Sequence, residues 1–210
     1  MDDIPSAPEA FGPGSRALTE RAHHLGPHHI CVFDTALGAC GIAWSEHGVT
    51  RFQLPEADRG ATERRLRRAA DATAETPPPA VGAVVTQVQR YMAGVQVDFS
   101  DVALDLAGVG EFHRKVYSAL RAVGWGQTAT YGDLARQVDA PGAARAVGQA
   151  MGRNPIPVII PCHRVLASGR GIGGLSAFGG TVTKERLLAL EGVHLGFGQL
   201  ALPGLLPARR

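Results

Sequence analysis

One stretch of the chain brings a nucleophile, a base and a cation together within three residues. An apolar, strand-like run over residues 154–160 leads into Pro161-Cys162-His163-Arg164-Val165. The thiolate is the reactive form of cysteine, and a neighbouring base and cation both favour it over the thiol. The sequence therefore predicts nucleophilic chemistry at Cys162, assisted by His163 and Arg164.

The other two cysteines lack such neighbours. Cys31 and Cys40 each lie in a β-favouring run without a basic residue beside them, which favours an inert role. Three thiols without repeated spacing do not form a disulfide framework, and the N-terminus has no secretory signal pattern. No apolar run approaches the ~20 residues that span a bilayer. We expect a soluble cytoplasmic protein that has no membrane partner.

Three predicted helices precede the reactive stretch. The first, over 112–123, has apolar residues spaced as one helical face. Thr130 can cap a second helix, and the Asp-Ala-Pro-Gly turn at 139–142 leads into a third, from Ala143 to Met151. This order is typical of a helix-turn-helix, although similar pairs also occur in proteins that never bind DNA.

The first half of the chain carries shorter, β-favouring runs. Those within 30–54, separated by turn formers, predict an antiparallel meander. Thr62 is predicted to cap a helix, a further helix is expected from about Ala80 to Ala93, and 98–106 alternates like a strand. The pattern is that of an α+β domain with a small antiparallel sheet.

The whole chain is therefore predicted to be an α+β protein of two domains. A flexible leader, 1–27, precedes an N-terminal α/β domain, 28–108, and a mostly helical domain, 109–195, is followed by a tail, 196–210. Four histidines near the leader could form a metal site or a solvated arm: His23, His24, His28 and His29.

Charge divides unevenly along the chain. Residues 1–110 carry nine Arg and no Lys against fourteen Asp and Glu, a net −5, whereas 111–195 carry ten Lys and Arg against five Asp and Glu, a net +5. Such asymmetry is expected when only one part meets a polyanion such as nucleic acid. Chance variation in surface charge is the alternative.

The motifs of the second domain resemble those of the O6-alkylguanine-DNA alkyltransferase family. The Pro-Cys-His-Arg-Val pentapeptide, 161–165, is the family signature, and the Asn-Pro pair at 154–155 accompanies it. Further motifs match in order and separation: 112–116, 130–135, 143–148 and 184–192. The first domain is similar in strand order, with far less identity.

The resemblance implies direct, irreversible transfer of an alkyl group from O6-alkylguanine in DNA, and from O4-methylthymine, to Cys162. His163 would accept the thiol proton through a water, and Glu191 would orient and charge-stabilise the imidazole. A thioether has no easy route back to the thiolate, so each molecule acts once. The family chemistry uses no cofactor and no metal.

Three further residues match family positions near the reacting atoms. Tyr131 would donate a proton to the departing base, Lys184 would lie near the substrate oxygen, and Asn154 would brace the cysteine segment. The alternatives are an exposed helix carboxylate for Glu191 and a solvated residue at a helix N-terminus for Lys184.

The resemblance also implies the mode of DNA binding. Flipping a base out of the duplex costs a few kcal/mol, and Arg145 would fill the vacated stack. Ala144 and Gly148 would let this helix approach the minor groove, with Tyr131 and Ser168 as further DNA contacts; alternatively, the small residues serve helix packing. The implied protein is a monomer on double-stranded DNA containing O6-alkylguanine, with a ribonuclease-H-like first domain and a winged-helix-like second.

The chain departs from the family pattern at three places. Val-Gly-Trp-Gly at 123–126 replaces the usual Ile-Pro-x-Gly, and the loop at 169–180 has Phe178 roughly where the family has tyrosine. The first change could alter DNA affinity, and the second leaves the accepted alkyl groups open. Some members bind zinc in the first domain, but the aligned Ser45 and Thr50 are not ligands, so no such site is expected.

Three other functions compete with alkyl transfer. A DNA damage sensor of the alkyltransferase-like type would lack the cysteine, which Cys162 contradicts. A cysteine hydrolase or acyltransferase would need an oxyanion hole and would leave the helix-turn-helix unexplained. A redox regulator would undergo reversible oxidation at Cys162 instead of alkylation.

Overall fold

A computed structural model describes residues 28–69, 72–168, 171–174 and 179–195. The predicted leader and tail, with His23 and His24, and Phe178 of the pocket loop lie outside the described residues. The strands are β1 (His28–Thr35), β2 (Gly38–Ser45), β3 (Gly48–Gln53), β4 (Ala72–Ala74), β5 (Ala129–Thr130) and β6 (Val165–Leu166). The helices are α1 (Arg59–Ala69), α2 (Pro79–Met92), α3 (Glu111–Arg121), α4 (Tyr131–Gln137), α5 (Ala144–Gly152) and α6 (Gly180–Leu190).

The first half forms a four-stranded sheet in the order β3-β2-β1-β4. The predicted meander is present, because β1 and β2 pair antiparallel and so do β2 and β3. The expectation of a wholly antiparallel sheet is wrong at the edge, where β4 pairs parallel to β1. The physical reason is the connection: α1 carries the chain back across the sheet before β4 begins, and a crossover of this kind returns a strand in the parallel direction.

The strand predicted over 98–106 does not form; only a single bridge joins Leu104 to Val49. Instead, Nη2 of Arg121 donates hydrogen bonds to three backbone carbonyls in this segment. These are the carbonyls of Phe99, Ser100 and Val102, at 2.7, 2.7 and 3.0 Å. The alternation thus reflects the packing of Phe99 and Val102 into the hydrophobic core, without a regular strand.

The helix expected after the sheet starts before Thr62. The Asp58 carboxylate accepts a hydrogen bond from the Ala61 N–H at 2.7 Å, so Asp58 caps α1. Thr62 is fully buried inside the helix, where its hydroxyl oxygen accepts from the Glu56 N–H at 3.0 Å. The prediction that Thr62 caps this helix is therefore wrong, because tertiary contacts take its hydroxyl.

The helices of the second half follow the sequence pattern closely. The hydroxyl of Thr130 accepts from the Asp133 N–H, and the Asp133 carboxylate accepts from the Thr130 N–H, which forms a capping box at the start of α4. The turn into α5 uses left-handed backbone at Asp139 and Gly142, with φ of 57° and 88°. The predicted cap and the predicted helix–turn–helix order are confirmed.

One hydrophobic core joins the two halves. It includes Phe52 and Val88 from the first half and Leu134 and Ile160 from the second. The α+β class is confirmed, whereas the ribonuclease-H-like and winged-helix-like assignments and the domain boundaries stay predictions. Within the described ranges, no helix is long and apolar enough to cross a membrane.

Candidate functional site

Cys162 begins a single 3-10 turn, Cys162–Arg164, that follows the apolar run. This run is irregular and not the strand its composition favours, because Val158 adopts left-handed backbone with φ of 74°. The Asn154 side chain bridges the irregular segment: Nδ2 donates to the Ile160 carbonyl at 2.8 Å, and Oδ1 accepts from the Ile156 N–H at 3.0 Å. Asn154 therefore lies where the sequence predicts a brace.

The Cys162 thiol is only 5% exposed. Burial raises the pKa of Cys162, and a hydrogen bond from Asn154 and the positive charge of Lys184 oppose that rise. Arg164, the cation nearest in sequence, points instead to a carboxylate. The thiol at rest is thus the stable form, and formation of the thiolate needs a base.

His163 and Glu191 lie in contact beside the cysteine turn. Nε2 of His163 is 2.9 Å from Oε1 of Glu191, and both side chains are fully buried. Burial lowers the pKa of His163, while the hydrogen bond and charge of Glu191 raise it. Nδ1 of His163 is buried without a hydrogen-bond partner among the described residues. A neutral imidazole with an unprotonated Nδ1 is an available proton acceptor.

Glu191 is the centre of a buried network. It accepts from Nε of Arg164 at 2.9 Å, from Nη2 at 2.9 Å and from the hydroxyl of Tyr91 at 2.7 Å. Burial raises its pKa, but the hydrogen bonds from His163 and Arg164 outweigh that effect and lower the pKa of Glu191 to about 2. The exposed helix carboxylate considered from sequence is excluded, and the residue is ionised throughout the neutral range.

Lys184 is fully buried, so the alternative of a solvated helix residue is also wrong. Its ammonium donates to the Val165 carbonyl at 2.5 Å and to the Gly174 carbonyl at 3.4 Å. Burial lowers the pKa of Lys184 to about 8, and the charge of Cys162 opposes this. A buried ammonium within electrostatic range of the thiol favours the thiolate over the thiol.

Tyr131, the first residue of α4, lies on the same side as Lys184. A Cβ built on Gly173 would be 2.9 Å from the Tyr131 hydroxyl and 3.4 Å from Nζ of Lys184, so both polar groups converge on that loop residue. Burial and the charge of Cys162 raise the pKa of Tyr131, which keeps its hydroxyl protonated as a donor. The two groups and the thiol thus belong to one site.

Apart from Tyr131, the predicted DNA contacts lie outside this buried cluster. Arg145 is exposed in the first turn of α5, and no described residue forms an ion pair with it. Ala144 is half-buried beside it, and Gly148 faces the Tyr131 ring, where an added Cβ would be 3.9 Å from the nearest ring atom. Ser168 is exposed after β6. Helix packing therefore uses Gly148 and leaves Arg145 accessible.

Comparison with known proteins places this site in a family. The family model described as "6-O-methylguanine DNA methyltransferase, DNA binding domain" matches residues 111–193. A methylated-DNA–protein-cysteine methyltransferase of Mycolicibacterium paratuberculosis is 47% identical over 118 residues, which cover 56% of this chain and 68% of the relative. The chain belongs to the methylated-DNA–protein-cysteine methyltransferase family. The resemblance and the enzyme class predicted from the sequence are confirmed.

Solved structures of this methyltransferase family share the architecture. The O6-methylguanine methyltransferase of Mycobacterium tuberculosis is similar with a TM-score of 0.62 and 36% identity over 78% of this chain and 92% of that one. A crystal structure of the Mycobacterium tuberculosis protein in complex with DNA gives a TM-score of 0.61 and 35% identity, covering 78% and 93% of the two chains.

Two residues of this site were not predicted from the sequence in the positions they occupy. Tyr91 lies in the apolar helix predicted over 80–93, and the sequence pattern assigns it no role. A buried tyrosine requires a hydrogen-bond partner for its hydroxyl, which is the signal that could identify it. Arg164 was assigned to the thiolate, but its guanidinium holds Glu191 and donates to the Val123 carbonyl at 2.5 Å. No local pattern indicates either pairing.

Proposed function

We propose that this chain repairs DNA by moving the alkyl group of O6-alkylguanine, and of O4-methylthymine, to the sulfur of Cys162. The observation that carries the proposal is the buried His163–Glu191 pair next to the braced Cys162, with Nδ1 of His163 unpartnered among the residues that the structure describes. This arrangement supplies a proton acceptor for a thiol that burial keeps protonated. The reaction needs no cofactor.

Each bond and proton in the transfer is accounted for. The Cys162 proton passes through a water to Nδ1 of His163, and Glu191 stabilises the imidazolium that results. The sulfur lone pair forms a bond to the alkyl carbon as the bond from that carbon to O6 breaks, and the electron pair leaves with guanine. Tyr131 donates its phenolic proton to the departing base, which becomes neutral guanine; solvent water then reprotonates the tyrosine and takes the proton that His163 holds. The thioether persists, so each molecule reacts once.

The protein would bind double-stranded DNA through the helix pair α4–α5. It would bind as a monomer. An exposed cation at the start of α5 is suited to replace an extruded base, and Arg145 is that residue. The half-buried Ala144 and Gly148 allow the helix to approach the groove. The structure of the Mycobacterium tuberculosis relative in complex with DNA supports DNA as the partner of this chain. The ribonuclease-H-like and winged-helix-like descriptions belong to the same proposal.

A labelled substrate tests the transfer. The full chain is incubated with a duplex whose O6-methylguanine carries a tritiated methyl group, and digestion locates the label. We expect one methyl group per protein, on the peptide that contains Cys162, and none in Cys162→Ala, whereas Cys31→Ser reacts as the unaltered protein does. Label on another residue, or release as methanol with turnover, would contradict the proposal. Reversible oxidation without label would favour the redox alternative.

The role of Arg145 needs a comparison of substrates. We expect Arg145→Ala to slow repair in duplex DNA more than reaction with free O6-methylguanine, because only the duplex requires extrusion of the base. Arg186→Ala is the matched control, since Arg186 is also an exposed arginine of the second half. Equal losses on both substrates would exclude the flipping role.

A further inference from the structure

One residue of the first half of the chain contacts His163 and Glu191 in the second half. Tyr91 lies near the end of α2, a helix whose other buried residues are apolar, and it is fully buried. Its hydroxyl oxygen is 2.7 Å from Oε1 of Glu191 and 3.1 Å from Nε2 of His163. The hydroxyl therefore contacts the base and the carboxylate at once.

The direction of these hydrogen bonds follows from the chemistry of the groups. An ionised carboxylate can only accept, so the Tyr91 hydroxyl donates to Glu191. The tyrosine oxygen keeps its lone pairs, and it can accept only if Nε2 of His163 carries the hydrogen. Oε1 and the tyrosine oxygen thus both face the Nε2 hydrogen, which leaves Nδ1 without one.

Aromatic packing holds the tyrosine ring in place. Trp125 meets it edge-on, with ring centroids 5.4 Å apart and planes at 80°, and Phe99 lies 5.8 Å away at 57°. Trp125 belongs to the segment 123–126 that departs from the family pattern. The Gly126 N–H of the same segment donates to Oε2 of Glu191 at 3.3 Å. The segment therefore supports both the tyrosine and the carboxylate.

The first half touches the cysteine segment at a second point. The backbone N–H of Phe52 in β3 donates to the Pro155 carbonyl at 2.9 Å. Pro155 follows Asn154, the residue that braces the irregular run before Cys162. The sheet thus fixes one end of that run, while α2 reaches the residues that follow its other end.

We propose that Tyr91 is a positioning residue for alkyl transfer, which fixes His163 as the Nε2–H tautomer and orients it through Glu191. The first half then contributes to the reaction and is not only a companion fold. This inference rests on the proposed function, because it assumes that His163 takes the proton of Cys162.

The test compares two buried tyrosines whose hydroxyls have different partners. Tyr91→Phe removes the contacts to Glu191 and His163. Tyr117→Phe is the matched control, because Tyr117 is also fully buried and donates to the Ala150 carbonyl at 2.8 Å. Both variants keep the ring. Tyr117→Phe loses one hydrogen bond to a neutral carbonyl, whereas Tyr91→Phe loses one to a carboxylate and a contact with His163, so urea unfolding is measured for both and should show the larger loss of stability in Tyr91→Phe.

Two measurements on the full chain then separate positioning from packing. At saturating methylated duplex, we expect the first-order transfer rate of Tyr91→Phe to be roughly tenfold or more below that of Tyr117→Phe, with the Kd for DNA unchanged. In nitrogen-15 spectra of the resting protein, we expect the His163 Nε2 hydrogen to be protected from exchange in Tyr117→Phe and to exchange faster in Tyr91→Phe.

The outcomes distinguish this inference from the proposed function. Equal transfer rates and equal exchange in the two variants would overturn the positioning role, as would an Nδ1–H tautomer in the unaltered protein. If the unaltered protein transferred no methyl group, the proposed function would fail, yet the tautomer and exchange measurements would still decide whether Tyr91 positions His163. If Tyr91→Phe does not fold, an Nδ1–H tautomer in the spectra of the unaltered protein would still overturn the positioning role.

Discussion

Nε2 of His163 lies 2.9 Å from Oε1 of Glu191, with both side chains fully buried. This contact commits one ring nitrogen to the carboxylate and leaves Nδ1 as the nitrogen that can take a proton. The carboxylate remains ionised because its pKa is lowered to about 2 by hydrogen bonds that outweigh burial. The proton acceptor and its counter-charge are thus built into the fold before any substrate binds.

The rate of methyl transfer should depend on pH through His163. Burial lowers the pKa of His163, so the neutral imidazole persists to more acidic pH than in an exposed histidine. We expect the first-order rate to fall only as pH drops below the ordinary value of 6.5, because an imidazolium cannot accept a proton. Single-turnover assays from neutral to acidic pH measure this, with thermal unfolding at each pH as control. A midpoint above 6.5 would contradict the assignment.

Replacing the central carboxylate should destabilise the protein. Glu191→Gln leaves the buried Arg164 guanidinium without its charge partner, and we expect a loss of about 3 kcal/mol in the free energy of unfolding at pH 7. Urea denaturation measures it. Glu185→Gln, an exposed residue of α6, should change stability by less than about 0.5 kcal/mol. Similar values for the two variants would show that the buried pair contributes little.

The stabilities of the unaltered protein and of Glu191→Gln should become more similar at acidic pH. The folded pKa of Glu191, about 2, lies below its ordinary 4.5, so its contribution is present above 4.5 and is lost as pH falls toward 2. We therefore expect the stability difference between the unaltered protein and Glu191→Gln to narrow over that interval. A difference that is constant from pH 6 to about 2.5 would contradict the lowered pKa.

Lys184 should give stability an alkaline dependence. Burial lowers its pKa from 10.5 to about 8, so the ammonium penalises the folded state below pH 8, and this penalty fades as pH rises. Relative to Lys184→Met, the unaltered protein should gain up to ~3 kcal/mol between about pH 8 and 10.5. Urea titrations of both proteins at each pH measure the difference in their free energies of unfolding. The contributions of titratable groups that the two proteins share cancel in this difference. No change with pH would show that Lys184 titrates normally.

The capping box of α4 should have a measurable effect on stability. Thr130→Ala removes the oxygen that accepts from the Asp133 N–H, and we expect a loss of about 1 kcal/mol. Thr86→Ala is the control, since Thr86 is exposed in the middle of α2 and its hydroxyl only donates to the Gly82 carbonyl at 3.1 Å. Urea unfolding followed by circular dichroism compares them. An equal loss in both would argue against a capping effect.

The features that the sequence predicted correctly are local ones. The capping box at Thr130 spans three residues, and the helices over 112–123 and 80–93 follow from apolar spacing along a single face. The chemistry of Cys162 and His163 is likewise indicated by adjacent residues, and it stays a prediction. Such signals are encoded within one or two turns of chain, where propensity and short-range hydrogen bonds dominate.

Other features depended on residues far apart. Tyr91 and Glu191 are separated by 100 positions, and Arg121 donates to carbonyls about 20 positions before it in the segment that was expected to be a strand. A buried polar group must find a partner, but the sequence does not say which of several distant groups will lie within reach. From the sequence, Arg164 could pair with the Cys162 thiol or with a carboxylate; in the folded protein it donates to Glu191. The sequence by itself determined the helices around Cys162 and predicted this cysteine as the nucleophile. The tertiary structure decided which buried charges and hydroxyls meet, because only close packing brings them together.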